Sequence, residues 1–229
     1  MIVLGIDTSG YVNAVGVSDG RQVLVDQSFP ARTDSLEQIV DNINTTLKKA
    51  KLKLKDVEGI GVGLGPGSWT GIKVGVTVGK MLAFSAEKPV CGITTLEALA
   101  YTAHSRTKLV CPVISAGVGD AVYAAFYRAG VQKGDFFTGD VNDLAALVKE
   151  PVILIGSNIK SYRDILVKQK PTLKNKITIK EALPSGAAVA CLAATRLKQG
   201  KTEDPLSLTP LYLKESTAKV FVNKYKVKK

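Results

Sequence analysis

Gly59-Ile60-Gly61-Val62-Gly63-Leu64-Gly65-Pro66-Gly67-Ser68-Trp69-Thr70-Gly71 is the stretch on which the fold turns. Its first half alternates glycine with aliphatic residues and reads as a short buried strand. Its second half gathers glycine, proline and small hydroxyl residues into a tight turn. Ser68 or Thr70 is placed to cap the helix that follows, which runs from about residue 71 to 87 and is stopped by Pro89. Gly65 and Gly67 permit positive φ and close backbone approach. Free N–H groups at the helix start are able to hold an anion. The turn therefore has two readings: a structural strand-to-helix connection, or an anion-facing site. It is not a Walker loop. Lys80 follows Gly79, but Val74 stands five positions before Gly79 and Met81 replaces the required Ser or Thr. No G-x-G-x-x-G dinucleotide fingerprint falls here either.

The helix launched by this turn has a signature of its own. Gly71, Gly75, Gly79 and Ala83 recur every four residues and share one face. An interior helical glycine costs about 1 kcal/mol relative to alanine, so the stripe implies a close neighbour. That neighbour is either the rest of the lobe or another subunit. Ile72 and Val76, flanked by Val74, Val78 and Leu82, supply a core contact on the other side.

Outward from there, residues 2–6 form an apolar run ending at Asp7-Thr8-Ser9-Gly10. Residues 13–18 and 21–29 read as two more strands around an Asp19-Gly20 hairpin turn. Leu36, Ile39, Val40, Ile43 and Leu47 make one helical stripe, with Asp34 or Ser35 as its cap. Residues 90–93 read as a strand, and Thr95 as the cap of a helix to about residue 104. After Ser105 the pattern restarts. Strands are expected at 109–115, 121–128 and 151–155, and helices at 140–149, 161–170 and 185–199. Two β-rich α/β halves in series imply a duplicated, two-lobed molecule. We place the first lobe at residues 1–105 and the second at 106–229.

Composition excludes several function classes. The chain has 229 residues, 45% of them apolar and 22% charged, an ordinary globular balance. No apolar run approaches the ~20 residues that span a bilayer, and the N-terminus has no signal-peptide pattern, so we expect no membrane association and a cytoplasmic protein. Cys91, Cys111 and Cys191 are scattered and set among apolar residues, as buried free thiols are. His104 is the single histidine. No zinc or iron ligand set and no Ser-His-Asp arrangement can be assembled around it. No cofactor and no metal site are expected. Asp7-Thr8-Ser9 resembles the phosphate-facing turn of actin-like ATPases, and as a bare tripeptide also reads as a hydrogen-bonded β-turn. The charge is uneven. Residues 1–150 balance, whereas residues 151–229 carry 16 Lys/Arg against 5 Asp/Glu, a field that attracts polyanions.

Residues 61–75 resemble the G-x-G-P-G-S-[FW]-T-G-[LI]-[RK]-[IV]-G signature of the TsaB family. Pro89-Val90-Cys91-Gly92-Ile93-Thr94-Thr95-Leu96-Glu97-Ala98-Leu99-Ala100, the opening Ile6-Asp7-Thr8-Ser9 and the late Pro210-Leu211-Tyr212-Leu213-Lys214 resemble further segments of the same family. The likeness covers the first ~100 residues well and the rest in patches. Asp34-Ser35 stands where the family usually has His-Ser, and residues 115–120 stand where it often has Asp-Ala-Arg.

The resemblance implies an α/β, two-lobed actin-like ATPase fold (ASKHA, RNase H-like) with mixed sheets flanked by helices. It implies a non-catalytic subunit of the complex that forms N6-threonylcarbamoyladenosine beside the anticodon. Such a subunit pairs with TsaD, recruits the ATPase TsaE and is itself no enzyme. Two alternatives stand beside it: a stand-alone actin-like nucleotide-binding hydrolase, and a homodimeric tRNA-binding module using the basic residues of 151–229. Asp7, Thr8, Ser9, Gly65, Gly67, Ser68 and Thr70 are the expected nucleotide- or anion-facing turns. Leu36, Ile39, Ile43, Gly71, Gly75, Gly79 and Ala83 are the expected partner-interface residues, for TsaD or for a second copy.

Overall fold

A computed structural model describes residues 1–31, 38–117 and 119–213. The first half runs β1 (Val3–Asp7), β2 (Val12–Ser18), β3 (Val23–Pro30), α1 (Ile39–Lys49), β4 (Gly59–Gly63), α2 (Trp69–Ser85), β5 (Val90–Ile93) and α3 (Thr95–Thr102). The second half runs β6 (Leu109–Ser115), β7 (Ala121–Arg128), β8 (Val131–Asp140), α4 (Val141–Leu147), β9 (Val152–Gly156), α5 (Ile159–Gln169), β10 (Ile177–Glu181) and α6 (Gly186–Lys198). Expected elements appear within a few residues of their places. Two strands were not expected, β8 and β10.

The two sheets are copies of one plan. The first has the order β3-β2-β1-β4-β5 and the second β10-β9-β6-β7-β8. In each, a three-stranded antiparallel meander comes first, and two parallel strands are added on its far side. In the first sheet, Leu4, Ile6, Val15, Val17, Ile60 and Val62 point to the side covered by α1 and α2. Each such aliphatic side chain contributes about 1.5–3 kcal/mol when fully buried.

The opposite side of that sheet is covered by α6. Gly5, Gly16 and Gly61 lie under this helix, and a Cβ on any of them would overlap its Gly186, Ala187, Ala190 or Ala193. The alternating glycines of β4 and the alanine run of α6 thus explain each other: helix and sheet meet nearly backbone to backbone. Chain order alone puts α6 with the second lobe, but its contacts put it on the first sheet. Its place against the second sheet is taken by α3, whose Leu96 and Ala100 pack with Val110, Tyr123, Ala125 and Ile155. The two halves exchange their third helices. Arg196 of α6 joins this crossing by donating to both Glu97 carboxylate oxygens on α3 at 2.6–2.7 Å, and to the Gly92 carbonyl at 2.8 Å.

The strap that follows α6 also returns to the first lobe. Glu203 N–H donates to the Val90 carbonyl and Leu211 N–H to that of Leu64, while Leu208 is buried in the first core.

Candidate functional site

The residues expected to face an anion lie together, around the end of β1. Asp7, Thr8 and Ser9 are buried, Asp7 completely. The Asp7 carboxylate accepts three hydrogen bonds. Ser9 N–H (2.9 Å) and Ser9 Oγ (2.6 Å) donate to Oδ1, and Thr95 Oγ1 (2.8 Å) donates to Oδ2. Thr95 is available because Thr94, not Thr95 as expected, caps α3, its hydroxyl accepting from Glu97 N–H at 3.1 Å. Burial pushes the Asp7 carboxyl above its ordinary value of 3.8, against the pull of these donors.

The Gly-Pro-Gly turn closes over this cluster. Ser68 N–H donates to the Ser9 carbonyl at 2.7 Å, and Thr95 N–H to the Gly65 carbonyl at 2.8 Å. Gly65 has φ +88 and precedes a cis Pro66, and a Cβ on Gly67 would strike the Ser9 carbonyl. Ser68 caps α2 by accepting from Gly71 N–H at 3.3 Å. Thr70 is exposed on the first turn of α2. These hydrogen bonds are the ones a structural strand-to-helix connection requires. Ser68 N–H, Ser68 Oγ and the Gly65 carbonyl are engaged by the chain itself, and Asp7 ties the end of β1 to the start of α3.

The expected partner-interface residues require a correction. The glycine stripe of α2 faces inward. A Cβ at Gly71 would overlap the Thr8 carbonyl, at Gly75 the Thr8 Oγ1, and at Gly79 the Val62 side chain. Thr8 Oγ1 reaches into the opening and donates to the Gly71 carbonyl at 2.6 Å. Gly71, Gly75, Gly79 and Ala83 are therefore the seam between α2 and its own sheet, because only a helix without side chains there clears the β1 turn. Ile39 and Ile43 of α1 are likewise in the first core, and Leu36 lies outside the described residues.

The open surface of these helices is the other face, which the sequence reading passed over. On α2 it carries Trp69, Lys73, Thr77, Met81 and Phe84, with Trp69 45%, Met81 55% and Phe84 55% exposed. On α1 it carries Val40, 51% exposed. Single exposed apolar residues are ordinary, and three of these, Trp69, Met81 and Phe84, share the outward side of α2. The recurrence every four residues from Trp69 through Lys73 and Thr77 to Met81, with Phe84 three further on, was the available signal. At one end of this face the Trp69 ring stacks on Tyr212, with centroids 4.3 Å apart and planes at 29°, and Lys73 Nζ lies 4.6 Å from the Trp69 ring centre.

Between the lobes lies a cavity of about 420 Å³, lined by Asp26, Ser28, Ser157, Glu181 and Ser185 among others. Asp26 accepts from Ser185 Oγ at 2.7 Å and Ala187 N–H at 3.0 Å, reinforcing the start of α6. The remaining exposed carboxylate, Glu181, disfavours a bare anion. His104 is exposed at the end of α3. Among the described residues no three His, Cys, Asp or Glu side chains gather as a metal site, and no helix is long and apolar enough to cross a membrane.

Comparison with known proteins agrees with this geometry. Residues 30–221 match the family "TsaD: tRNA N6-adenosine threonylcarbamoyltransferase". The tRNA threonylcarbamoyladenosine biosynthesis protein TsaB of Bacillus subtilis is 25% identical over 225 residues, which is 95% of this chain and 96% of that one. The chain belongs to the TsaD family, in its TsaB branch. The fold agrees: YeaZ from Pseudomonas aeruginosa superposes with a TM-score of 0.78 at 21% identity, over 93% of this chain and 99% of that one. The ROK hexokinase of Thermus thermophilus superposes with a TM-score of 0.53 at 14% identity, over 87% and 100%. A TsaB-branch chain with two mixed sheets and exchanged helices has the two-lobed actin-like α/β fold that the sequence led us to expect.

Proposed function

We propose that this chain is a non-catalytic subunit of the assembly that makes N6-threonylcarbamoyladenosine next to the anticodon of tRNAs, and that it works in the cytoplasm. Its TsaB-branch relatives bear the name of that biosynthesis. In this reading the first lobe, residues 1–105 joined by α6 and the strap at 201–213, docks against TsaD through the outward face of α1 and α2. The pair then recruits TsaE. Without TsaD, the same face pairs two copies of the chain. The second lobe begins at residue 106 and leaves its basic surface open to tRNA.

The observation that carries the non-catalytic reading is the closed Asp7 turn. In an actin-like hydrolase this turn must present its acid and its N–H groups to a phosphate and metal. Here Asp7 is spent on Ser9 and Thr95, and Ser68 occupies the Ser9 carbonyl. The test is reconstitution of threonylcarbamoyl transfer from purified TsaD and TsaE with this chain, or with its Asp7→Asn variant. We expect TsaD to need the chain, and the isosteric variant to support at least half of the parental rate. A variant that folds but loses more than tenfold in rate would put chemistry at Asp7. Micromolar binding and turnover of ATP and magnesium by the chain alone, read by calorimetry, would favour a stand-alone hydrolase.

A further inference from the structure

The duplicated topology has an electrostatic consequence that chain order conceals. In the second sheet β6, β9 and β10 are parallel neighbours, with Leu109 opposite Val152 and Val152 opposite Ile177. Their N-terminal ends therefore lie side by side at one end of the lobe. The residues leading into them are basic: Arg106 and Lys108 before β6, Lys149 before β9, Lys174 and Lys176 before β10. The last turn of α5, which runs antiparallel to β9, brings Lys168 to the same end.

These cations are held on ordered elements. Lys176 Nζ donates to the Lys149 carbonyl at 3.2 Å, and Val152 N–H to the Lys176 carbonyl at 2.9 Å, which pins two of the three loops together. Leu173, fully buried, anchors the turn between Lys170 and Lys174. None of the six cations is ion-paired with a carboxylate among the described residues. Glu150, the acid beside Lys149, is already engaged by Arg128, and Asp164 by Arg163. The C-terminal ends of the same strands open instead toward the cavity of Ser157 and Glu181. The basic end thus lies away from the inter-lobe cleft, and on a different lobe from the α1–α2 face.

We propose that this rim, formed by the starts of β6, β9 and β10, is a docking surface for the phosphate backbone of a folded RNA. The proposal rests on the reading above for the identity of the RNA as a tRNA. Adjacent strands are about 4.8 Å apart, so three strand starts span about 10 Å. Phosphates along one strand advance about 3.4 Å each, so the rim meets roughly three of them. Lysine reads phosphate charge and not base identity. Binding at the rim is therefore insensitive to sequence and strongly dependent on salt. Residues from three separate stretches contribute, including Arg106, Lys108 and Lys149 from residues 1–150, which are neutral overall.

The experiment measures binding of an unmodified tRNA transcript to the full chain from 50 to 300 mM salt, by fluorescence anisotropy. Four proteins are compared: the parent, Lys149→Ala/Lys174→Ala/Lys176→Ala, the same three positions changed to Arg, and Lys224→Ala/Lys226→Ala/Lys228→Ala near the C-terminus. Thermal melting confirms that each is folded. Loss of three phosphate contacts is expected to reduce the slope of log K against log salt by about 2–3. The Arg variant and the C-terminal variant keep the parental slope. The proposal is overturned if the parent does not bind tRNA, if the rim variant keeps its slope, or if the loss follows the C-terminal lysines. It is also overturned if the rim governs binding to phosphatidylserine vesicles but not to tRNA. Pairing with TsaD, followed in parallel, separates the two readings. A rim variant that still pairs but loses tRNA supports both, and a parent that binds tRNA through the rim yet never pairs refutes only the subunit assignment.

Discussion

Replacing Gly75 by alanine tests the inward orientation of the α2 stripe. On an open helix face this change stabilises by about 1 kcal/mol, because alanine is the better helix former. In this chain the new methyl meets the Thr8 hydroxyl, which is almost wholly buried and donates to the Gly71 carbonyl at 2.6 Å. Thr8 must then rotate and leave a buried hydroxyl unpaired, at about 1–3 kcal/mol, or the helix must lift from the β1 turn at a similar overpacking cost. Set against the propensity gain, the net is a loss of up to about 2 kcal/mol. Shortening Thr8 to alanine removes the obstacle, so in that background the same change should stabilise by about 1 kcal/mol. Urea unfolding of the four members of this cycle should give a coupling energy of about 1–3 kcal/mol. A stabilising Gly75→Ala in the parent, or effects that add to within about 0.5 kcal/mol, would refute the packing and return the stripe to the surface.

Three further expectations follow from the same structure. Asp7 binds its proton more tightly folded than unfolded, so stability should fall as pH rises from about 3.8 through the higher folded value, then level off; Asp7→Asn should remove this limb, and a limb that persists would assign it to another group. Burial pushes the Cys91 thiol up to about 11 and raises that of Cys111 as well, whereas Cys191 is only half-buried; iodoacetamide at pH 8 should therefore modify one thiol per native chain quickly, and rapid uptake of two or three equivalents would contradict the burial. Arg196→Ala should cost about 1–3 kcal/mol, since it leaves the mostly buried Glu97 unpaired at the helix crossing, and a change below 0.5 kcal/mol by urea unfolding would show that the crossing does not depend on this pair.

Much of the fold was legible because its signals are local. The Asp19-Gly20 turn, the 36–47 stripe and the apolar run of residues 151–155 each announce one element. The strands β8 and β10 were silent for a shared physical reason: both are edge strands, and Lys133, Gly134 and Asp135 in one and Lys180 and Glu181 in the other keep them exposed, as edges that avoid pairing with other chains require. The exchange of α3 and α6 was not legible at all, since nothing in an alanine-rich helix names the sheet it covers. The glycines of β1, β2 and β4 that receive α6 carry that information, and it becomes visible only once the sheet is assembled. The α2 stripe was found, but its direction was not. A row of glycines says that something approaches closely, and the identity of that neighbour, here the Thr8 turn, is a fact of tertiary structure. Asp7, Ser9, Gly65, Gly67 and Ser68 lie together in the structure, with Asp7, Ser9 and Gly65 buried and Ser68 exposed, and the support role proposed for them rests on the hydrogen bonds that join them, which sequence does not show.

The central claim is that the outward face of α1 and α2 joins this chain to TsaD. Light scattering after gel filtration of equimolar mixtures measures it directly, comparing the parent with Met81→Asp/Phe84→Asp. Both side chains are already in water in the isolated chain, so the fold should survive the change, which circular dichroism checks. Two charges buried without partners at an interface cost several kcal/mol, so the parent should elute as a pair with TsaD and the variant as separate chains, with affinity lower by at least a hundredfold. A folded variant that pairs as the parent does would contradict the account.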